Sequence, residues 1–432
     1  MPATVHFADR IFSTTAVDTI RNGAIVVEDG LISWVGAQAE LPARWAGLPP
    51  VHHAGTLLPG LIETHAHLDA GARRTPAAVP DPERHVASLA VLHAAYTARQ
   101  LASLGVTTVQ SLGASHYSDV ALREAITQGL LEGPRVVAAG PVLTFTAGHG
   151  WPHGTEVDSP TEIRHAVRDH HKAGADVIKV MATGGFMTAR TAPWNAQFDV
   201  NQLRAVVEEA TRLGKHTAAH AHATEGIRRA VEAGIDYIAH ASFIDADGRT
   251  NVDPQLADQL AAAGTFVDVC SPPSFPAVPG ETIAPRALEL YQRGVQLVTG
   301  HDIGAVLPAN GYLYGLIQLQ AAGLPPREVL LAATTRAAAA SGLAGVTGAL
   351  LPGYSADFIV TPGNPITDVA ALANLSTIVI RGKEFHPDPV EPFDPAGRSG
   401  GPGTHPNDVR AAWLERQDRI AAHPLPIPGK LS

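Results

Sequence analysis

The feature that most constrains this chain is a repeated alternation of short apolar runs with longer Ala-rich amphipathic segments. From about residue 58 the runs are "LLPGLIETHAHL", "GVTTVQSLG", "PRVVAAGPVLT", "ADVIKVMAT", "KHTAAHAHA", "IDYIAHAS", "TFVDVCS" and "VQLVTGHD". Between them lie stretches such as "VASLAVLHAAYTARQLASLG" and "DVNQLRAVVEEATRLGK", which carry helical spacing. Consecutive parallel strands need a crossover of this length, so strand–helix alternation implies a parallel sheet. Eight such units predict an α/β fold, a (β/α)8 TIM barrel over residues 58–349. A doubly wound open sheet is the alternative. The barrel is preferred because no Gly-rich dinucleotide or phosphate loop follows the first strand.

Both chain ends read differently. Residues 1–57 hold short strands with Gly and Asp turns, and residues 350–385 are strand-like again in "ALLPGYSADFIVTPGN" and "LSTIVIRGKEF". These pieces are expected to form a small β-sandwich domain built from both ends. Residues 386–432 are a Pro/Gly-rich extension, ending in a short helix over "NDVRAAWLERQDRIAAH" that is expected to dock on its own barrel.

Composition narrows the partners. The formal net charge of −10 argues against nucleic acid. The one cysteine, Cys270, leaves no intrachain disulfide. The N-terminus lacks a basic region followed by a long apolar run, and no window is long and apolar enough to span a bilayer. A cytoplasmic, homo-oligomeric protein acting on a small molecule is expected.

Barrel enzymes act at the C-terminal ends of their strands. Strand one ends in His65 and His67, strand four carries Lys179, strand five His220 and His222, strand six His240 and strand eight Asp302. Residues i and i+2 of a strand share a face, so His65 and His67 can reach one ion. Singly, each residue has a plainer reading: an incidental His-x-His, a strand-end histidine over the core, a helix cap at Asp302. Together, imidazoles and a carboxylate at one barrel mouth are a ligand set for zinc and similar ions. Lys179 lies between Ile178 and Val180, where an unpaired ammonium is costly. Two readings stay open for it on spacing alone. It snorkels or pairs with a buried acid such as Asp302, or its neutral amine reacts with carbon dioxide to give an anionic carbamate.

The motifs "LLPGLIETHAHLD", "LGVTTVQSLG", "TAGHG", "IKVMATGG", "HAHATEGIRRAVEAGIDYIAHAS", "TGHDIG" and "GALLPGYSADFIVTPGNP" occur in that order over residues 1–385. In them the chain resembles the amidohydrolase superfamily, in the branch of Xaa-Pro and Xaa-Arg dipeptidases, ochratoxin-type amidases and imidazolonepropionase. The resemblance implies two divalent metal ions, zinc by first choice. His65, His67, Lys179 and Asp302 would hold one, and Lys179, His220 and His240 the other, with carboxylated Lys179 as the bridge. It also implies attack of an activated water on an amide carbonyl, with Asp302 shuttling the proton. His149 would stand near the substrate. His222 is expected beside the substrate or behind the ligands. Phe186, Met187, Arg190 and Trp194 are expected in the loop lining the pocket, Tyr312 and Tyr314 in its wall, and Cys270 as a small pocket or core residue.

The chain departs from the family pattern at three points. Gln110 and Ser111 replace an Arg-Asp pair, His301 precedes Asp302 where a threonine is usual, and the acid expected after "NGYLYGL" is absent. These changes leave the ligands intact and the substrate open. Arg73 and Arg74, in the loop 71–85, are candidates to meet an anionic substrate. Hydrolysis of a lactone, carbamate, urea or phosphoester on the same site remains an alternative. So does a mononuclear deaminase, against which Thr224 and Glu225 follow His220 at four and five residues rather than two or three. A non-catalytic scaffold is the third, and no ligand is missing to favour it.

Overall fold

The structure, a computed structural model, describes residues 3–14, 19–70, 82–270 and 285–394. The loop carrying Arg73 and Arg74 and the helix expected after residue 406 lie outside the described residues.

The first four strands are β1 (Thr4–Ile11), β2 (Ile20–Glu28), β3 (Leu31–Ala37) and β4 (Pro50–Pro59). Then β5 (Leu61–Ala66), α1 (Pro82–Ser103), β6 (Val106–Ser111), α2 (Ser118–Thr127) and β7 (Arg135–Ala138) follow. A short parallel pair, β8 (Leu143–Thr144) and β9 (Thr155–Glu156), precedes α3 (Pro160–Ala173) and β10 (Val177–Met181). The next elements are α4 (Val200–Arg212), β11 (His216–Ala223), α5 (Thr224–Ala233), β12 (Tyr237–Ile244) and α6 (Pro254–Ala263). The barrel region ends with β13 (Phe266–Val267), α7 (Pro285–Gln292), β14 (Gln296–Leu297), α8 (Tyr312–Ala321), α9 (Pro326–Ala332) and α10 (Thr335–Ala340). Strands β15 (Phe358–Thr361), β16 (Thr377–Ile380) and β17 (Lys383–Glu384) complete the order.

Among the described residues, β5, β6, β7, β10, β11, β12, β13 and β14 pair in parallel or are joined by single backbone bonds into a closed ring. The amide of Asp176 bonds the Ala138 carbonyl at 2.7 Å and links β10 to β7, while that of Thr64 bonds the Thr299 carbonyl at 3.0 Å and links β5 to the chain after β14. This is the TIM barrel that the alternation predicts. Its helices are locally encoded. Ser159 and Glu162 form a capping box at α3, Pro160 opens the helix, and Gly174 closes it in the left-handed region. Asp199 and Gln202 do the same at α4. Ile178, Val180, Ala219, Ile238 and Val267 are buried in the core that these helices cover.

Strands from both parts of the chain meet in one sheet. Strands β17, β16, β15, β4, β1, β2 and β3 pair in that order. The ladder is one seven-stranded sheet, so hydrogen bonding does not define the two stacked sheets of the expected sandwich. Ile11, Ile25, Leu57, Phe358 and Val360 form its apolar face. Strand β4 leads into β5 through Gly60, where a Cβ would collide with Thr107. No helix among the described residues is long and apolar enough to cross a membrane.

Candidate metal centre

Parallel strands deliver side chains of like register to one end of a barrel. His65 sits on β5 with His67 just beyond it, Lys179 on β10, His220 and His222 on β11, and His240 on β12. Asp302 follows β14. Lines of contact run between nearly all of them. The ring centroids of His65 and His240 are 4.9 Å apart, those of His220 and His240 4.6 Å, and those of His222 and His240 4.4 Å. Asp302 Oδ1 is 3.2 Å from His67 Nε2 and 3.6 Å from His65 Nε2. Ligand atoms of His65, His240 and Asp302 lie within 4.8 Å of one another, as do those of His220, His222 and His240.

Hydrogen bonds on the far side of the rings fix which nitrogen faces the centre. His67 Nδ1 is 2.9 Å from the Gly113 carbonyl, which can only accept. His65 Nδ1 is 3.1 Å from an Asp268 carboxylate oxygen. Each Nδ1 therefore carries the proton, and in the neutral ring each Nε2 presents a lone pair. Two lone pairs and a carboxylate oxygen then converge on one point, an arrangement that repels unless a cation lies among them. Burial and the neighbouring rings push His220 and His240 well below the usual histidine range, so both are neutral and able to ligate. Burial alone would raise the Asp302 carboxyl, and only positive charge on His65, His67 and Lys179 brings it below the usual carboxylate range; with both rings neutral, a cation among the donors has to supply that charge. His240 and Asp302 have φ of 72° and 54°, a left-handed strain of about 1–3 kcal/mol each that clusters at functional sites.

Lys179 is 1% exposed, and among the described residues its Nζ has no hydrogen-bond partner. Burial lowers it to about 8, against the pull of Asp268 and Asp302. The ion pair with a buried acid, one of its two readings, is not made. What remains is a buried amine, released from its proton more readily than an ordinary lysine and aimed among ligands. The imidazole and carboxylate donors gathered here fit divalent metal ions.

His149 is buried with its ring 4.7 Å from that of His220. A Cβ at Gly185 would collide with the His149 ring, so the glycine makes the close approach possible. His222 gives or accepts a bond with Ser242 Oγ at 2.8 Å and carries Phe186 edge-on at 5.0 Å. Met187 and Arg190 are exposed on the loop after β10, and Trp194 is half-buried there. Tyr312 is not brought to the histidines of the centre: it is buried edge-on to His301 at 5.0 Å, and its hydroxyl donates to the Ile62 carbonyl at 3.2 Å. Tyr314 packs on Phe393, with centroids 5.2 Å apart. His301 turns away from the centre to Glu63, 2.5 Å from its Oε2. Burial raises the Cys270 thiol, which keeps it protonated.

Two buried carboxylates that the sequence reading passes over hold this geometry. Glu63 accepts the amides of His65 and His301 at 2.8 and 2.9 Å, tying β5 to the chain that carries Asp302. Asp268 accepts four donors: His65 Nδ1, the Tyr237 hydroxyl at 2.6 Å, and the amides of His240 and Cys270 at 3.2 and 2.8 Å. In Asp268→Asn an amide N–H₂ would face two of those donors. The variant is expected to weaken metal binding by about 10–100-fold, measured by chelator competition, while an unchanged affinity would remove Asp268 from the centre's support.

A model of the amidohydrolase family matches residues 56–385. Ochratoxinase of Aspergillus niger is 29% identical over 399 residues, covering 82% of this chain and 80% of that protein. Imidazolonepropionase of Cupriavidus pinatubonensis is 27% identical, covering 85% of this chain and 90% of that protein. A crystal structure of a Xaa-Pro dipeptidase with bound methionine superposes with a TM-score of 0.77 at 26% identity, over 89% of this chain and all of the other.

Proposed function

Because this chain belongs to the amidohydrolase family, we propose that it hydrolyses an amide C–N bond of a small molecule, such as an N-acyl amino acid or a dipeptide. His65, His67, Lys179 and Asp302 would hold one divalent cation, and carboxylated Lys179, His220 and His240 a second. The single observation that carries this reading is the Lys179 amine, buried and unpartnered among acceptors. A dipeptidase among the similar structures supports an amide as the scissile bond.

Divalent cations there, zinc by the imidazole and carboxylate donors, would supply Lewis-acid polarisation of the carbonyl and an acidified water. The chain's own residues do the rest. Asp268 and the Gly113 carbonyl keep the protons of His65 and His67 on Nδ1 and so keep both Nε2 atoms inward. Asp302 carries a proton on its carboxylate during the reaction. The proton comes from the attacking water and goes to the leaving nitrogen, so C–N cleavage gives an acid and an amine. His149, its ring 4.7 Å from that of His220, would orient the substrate carbonyl from the other side.

The test is a panel of N-acyl amino acids, dipeptides and lactones offered to the zinc-loaded protein. Turnover of an amide well above every lactone is expected. A lactone hydrolysed fastest, with no amide turned over, would replace the amide reading by ester hydrolysis on the same residues.

A further inference from the structure

The opposite end of the barrel holds a second polar cavity, of about 630 Å³, which the amide reading does not use. Its walls come from the starts of the strands. Arg135 opens β7, Asp176 precedes β10 and His216 opens β11. Helix α2 adds Arg123 and Ile126, the chain after α10 adds Ser341 and Leu343, and the turn between β16 and β17 adds Arg381. The cavity therefore lies between the barrel floor and the two-ended sheet. Its rim is exposed at Gly214 and Gly342.

Three guanidinium groups and one carboxylate line this space, in a chain whose net charge is −10. The carboxylate is used. Arg123 Nη1 meets Asp176 Oδ2 at 2.6 Å and its Nη2 meets Glu124. Arg135 has a weak pairing, 3.6 Å from Asp357 Oδ2. That acid is already engaged by the Thr347 hydroxyl and the Arg381 amide. Arg135 Nη2 also donates to the Ser355 hydroxyl at 3.2 Å. The Arg381 side chain donates to the Gly133 carbonyl at 3.2 Å and, among the described residues, forms no salt bridge. Burial lowers Arg381, and the nearby Arg135 cation adds to the effect while Asp357 opposes it. The two cations thus face each other across one shared acid. Ser341 is 2% exposed with its Oγ closed off from the space, and Arg135 Nε is closed off likewise, so the charged groups that line it are what a ligand would meet.

We propose that this cavity is a binding site for a small organic phosphate. Two guanidinium groups short of countercharge suit a dianion, and Arg binds phosphate oxygens in pairs. The volume is several times what a phosphate group alone needs, and Ile126, Val136 and Leu343 offer an apolar wall for the organic part. The site is separate from the metal centre, since it opens at the N-terminal ends of the strands.

The experiment is calorimetric titration of the metal-loaded protein with phenyl phosphate, inorganic phosphate and phenol. Phosphate oxygens also bind metal ions, so each titration is repeated with Lys179→Ala. Phenyl phosphate is expected to bind with a dissociation constant on the order of 1 mM or tighter, in both proteins. Inorganic phosphate should bind more weakly and phenol not at all. Arg381→Met should weaken binding about ten-fold or more, and Arg381→Lys should restore part of it. Arg135→Met should weaken binding by a similar factor, with Arg135→Lys restoring part of it. Binding that survives both Arg381→Met and Arg135→Met, or that vanishes in Lys179→Ala, would overturn the proposal. Inorganic phosphate binding as tightly as phenyl phosphate would overturn its organic part. Because the metal centre is altered independently, failure here leaves the amide reading untouched, and the reverse also holds.

Discussion

Lys179→Ala is expected to lose bound metal and to cut amide hydrolysis by more than about a hundred-fold, since even groups that only support a ligand are worth 10–100-fold. The protein itself should survive the change. Deleting the long side chain opens a cavity, which costs about 2–5 kcal/mol for a buried apolar side chain. It also removes a buried amine that has no hydrogen-bond partner, and burying such a group unpaired costs a similar amount. The two effects oppose each other, so the metal-free variant should melt close to the metal-free parent. Elemental analysis of both proteins decides the matter. The parent should carry close to two divalent ions per chain and the variant fewer. An intact-mass measurement under gentle conditions should find one added carbon dioxide on the parent alone. Full metal occupancy in the alanine variant would sink the bridge.

The second large effect is expected at Asp302. Asn is the informative replacement, because the residue sits at φ 54°, where Asn is among the few side chains tolerated. Backbone and size are kept while the charge and the proton carrier go. A positioned acid–base group contributes about 10²–10⁴-fold, so Asp302→Asn should lower kcat by that factor with KM little changed. Metal content has to be measured on the same preparation. If kcat stays within ten-fold of the parent while metal is retained, Asp302 is a ligand and no proton carrier.

The strand-end residues were legible because each interrupts or ends an apolar run, and a barrel gathers such ends at one mouth. Lys179 stood out for the same reason. Asp268 breaks "TFVDVCS" in the same way, yet the reading of that run went to Cys270. Its role depends on Tyr237 and His65 arriving from other strands, which no local pattern states. Glu63 is two residues before His65 on the same strand, and its task of tying two strand ends likewise exists only after closure. Tyr312 and Tyr314 were read as pocket wall because they follow the last strand. The packing of α8, which turns Tyr312 down to the Ile62 carbonyl, is a tertiary fact. The single sheet at the chain ends was illegible in a related way. Alternation fixes which face of a strand is buried, but it does not say which strands pair.

The sheet made from both ends also bears on how the protein comes into being. Thr56 Oγ1 donates to the Gly363 carbonyl at 2.8 Å, 307 residues along the chain, and β4 pairs with β15 across a similar distance. As the chain leaves the ribosome, β4 emerges long before its partner strand. Until then its open edge is a template for the wrong neighbour. Contacts this distant in sequence are slow to form and leave the chain exposed to aggregation while it waits. Production of the protein should therefore depend on chaperone capacity and on an intact segment through β15, more than on anything at the metal centre.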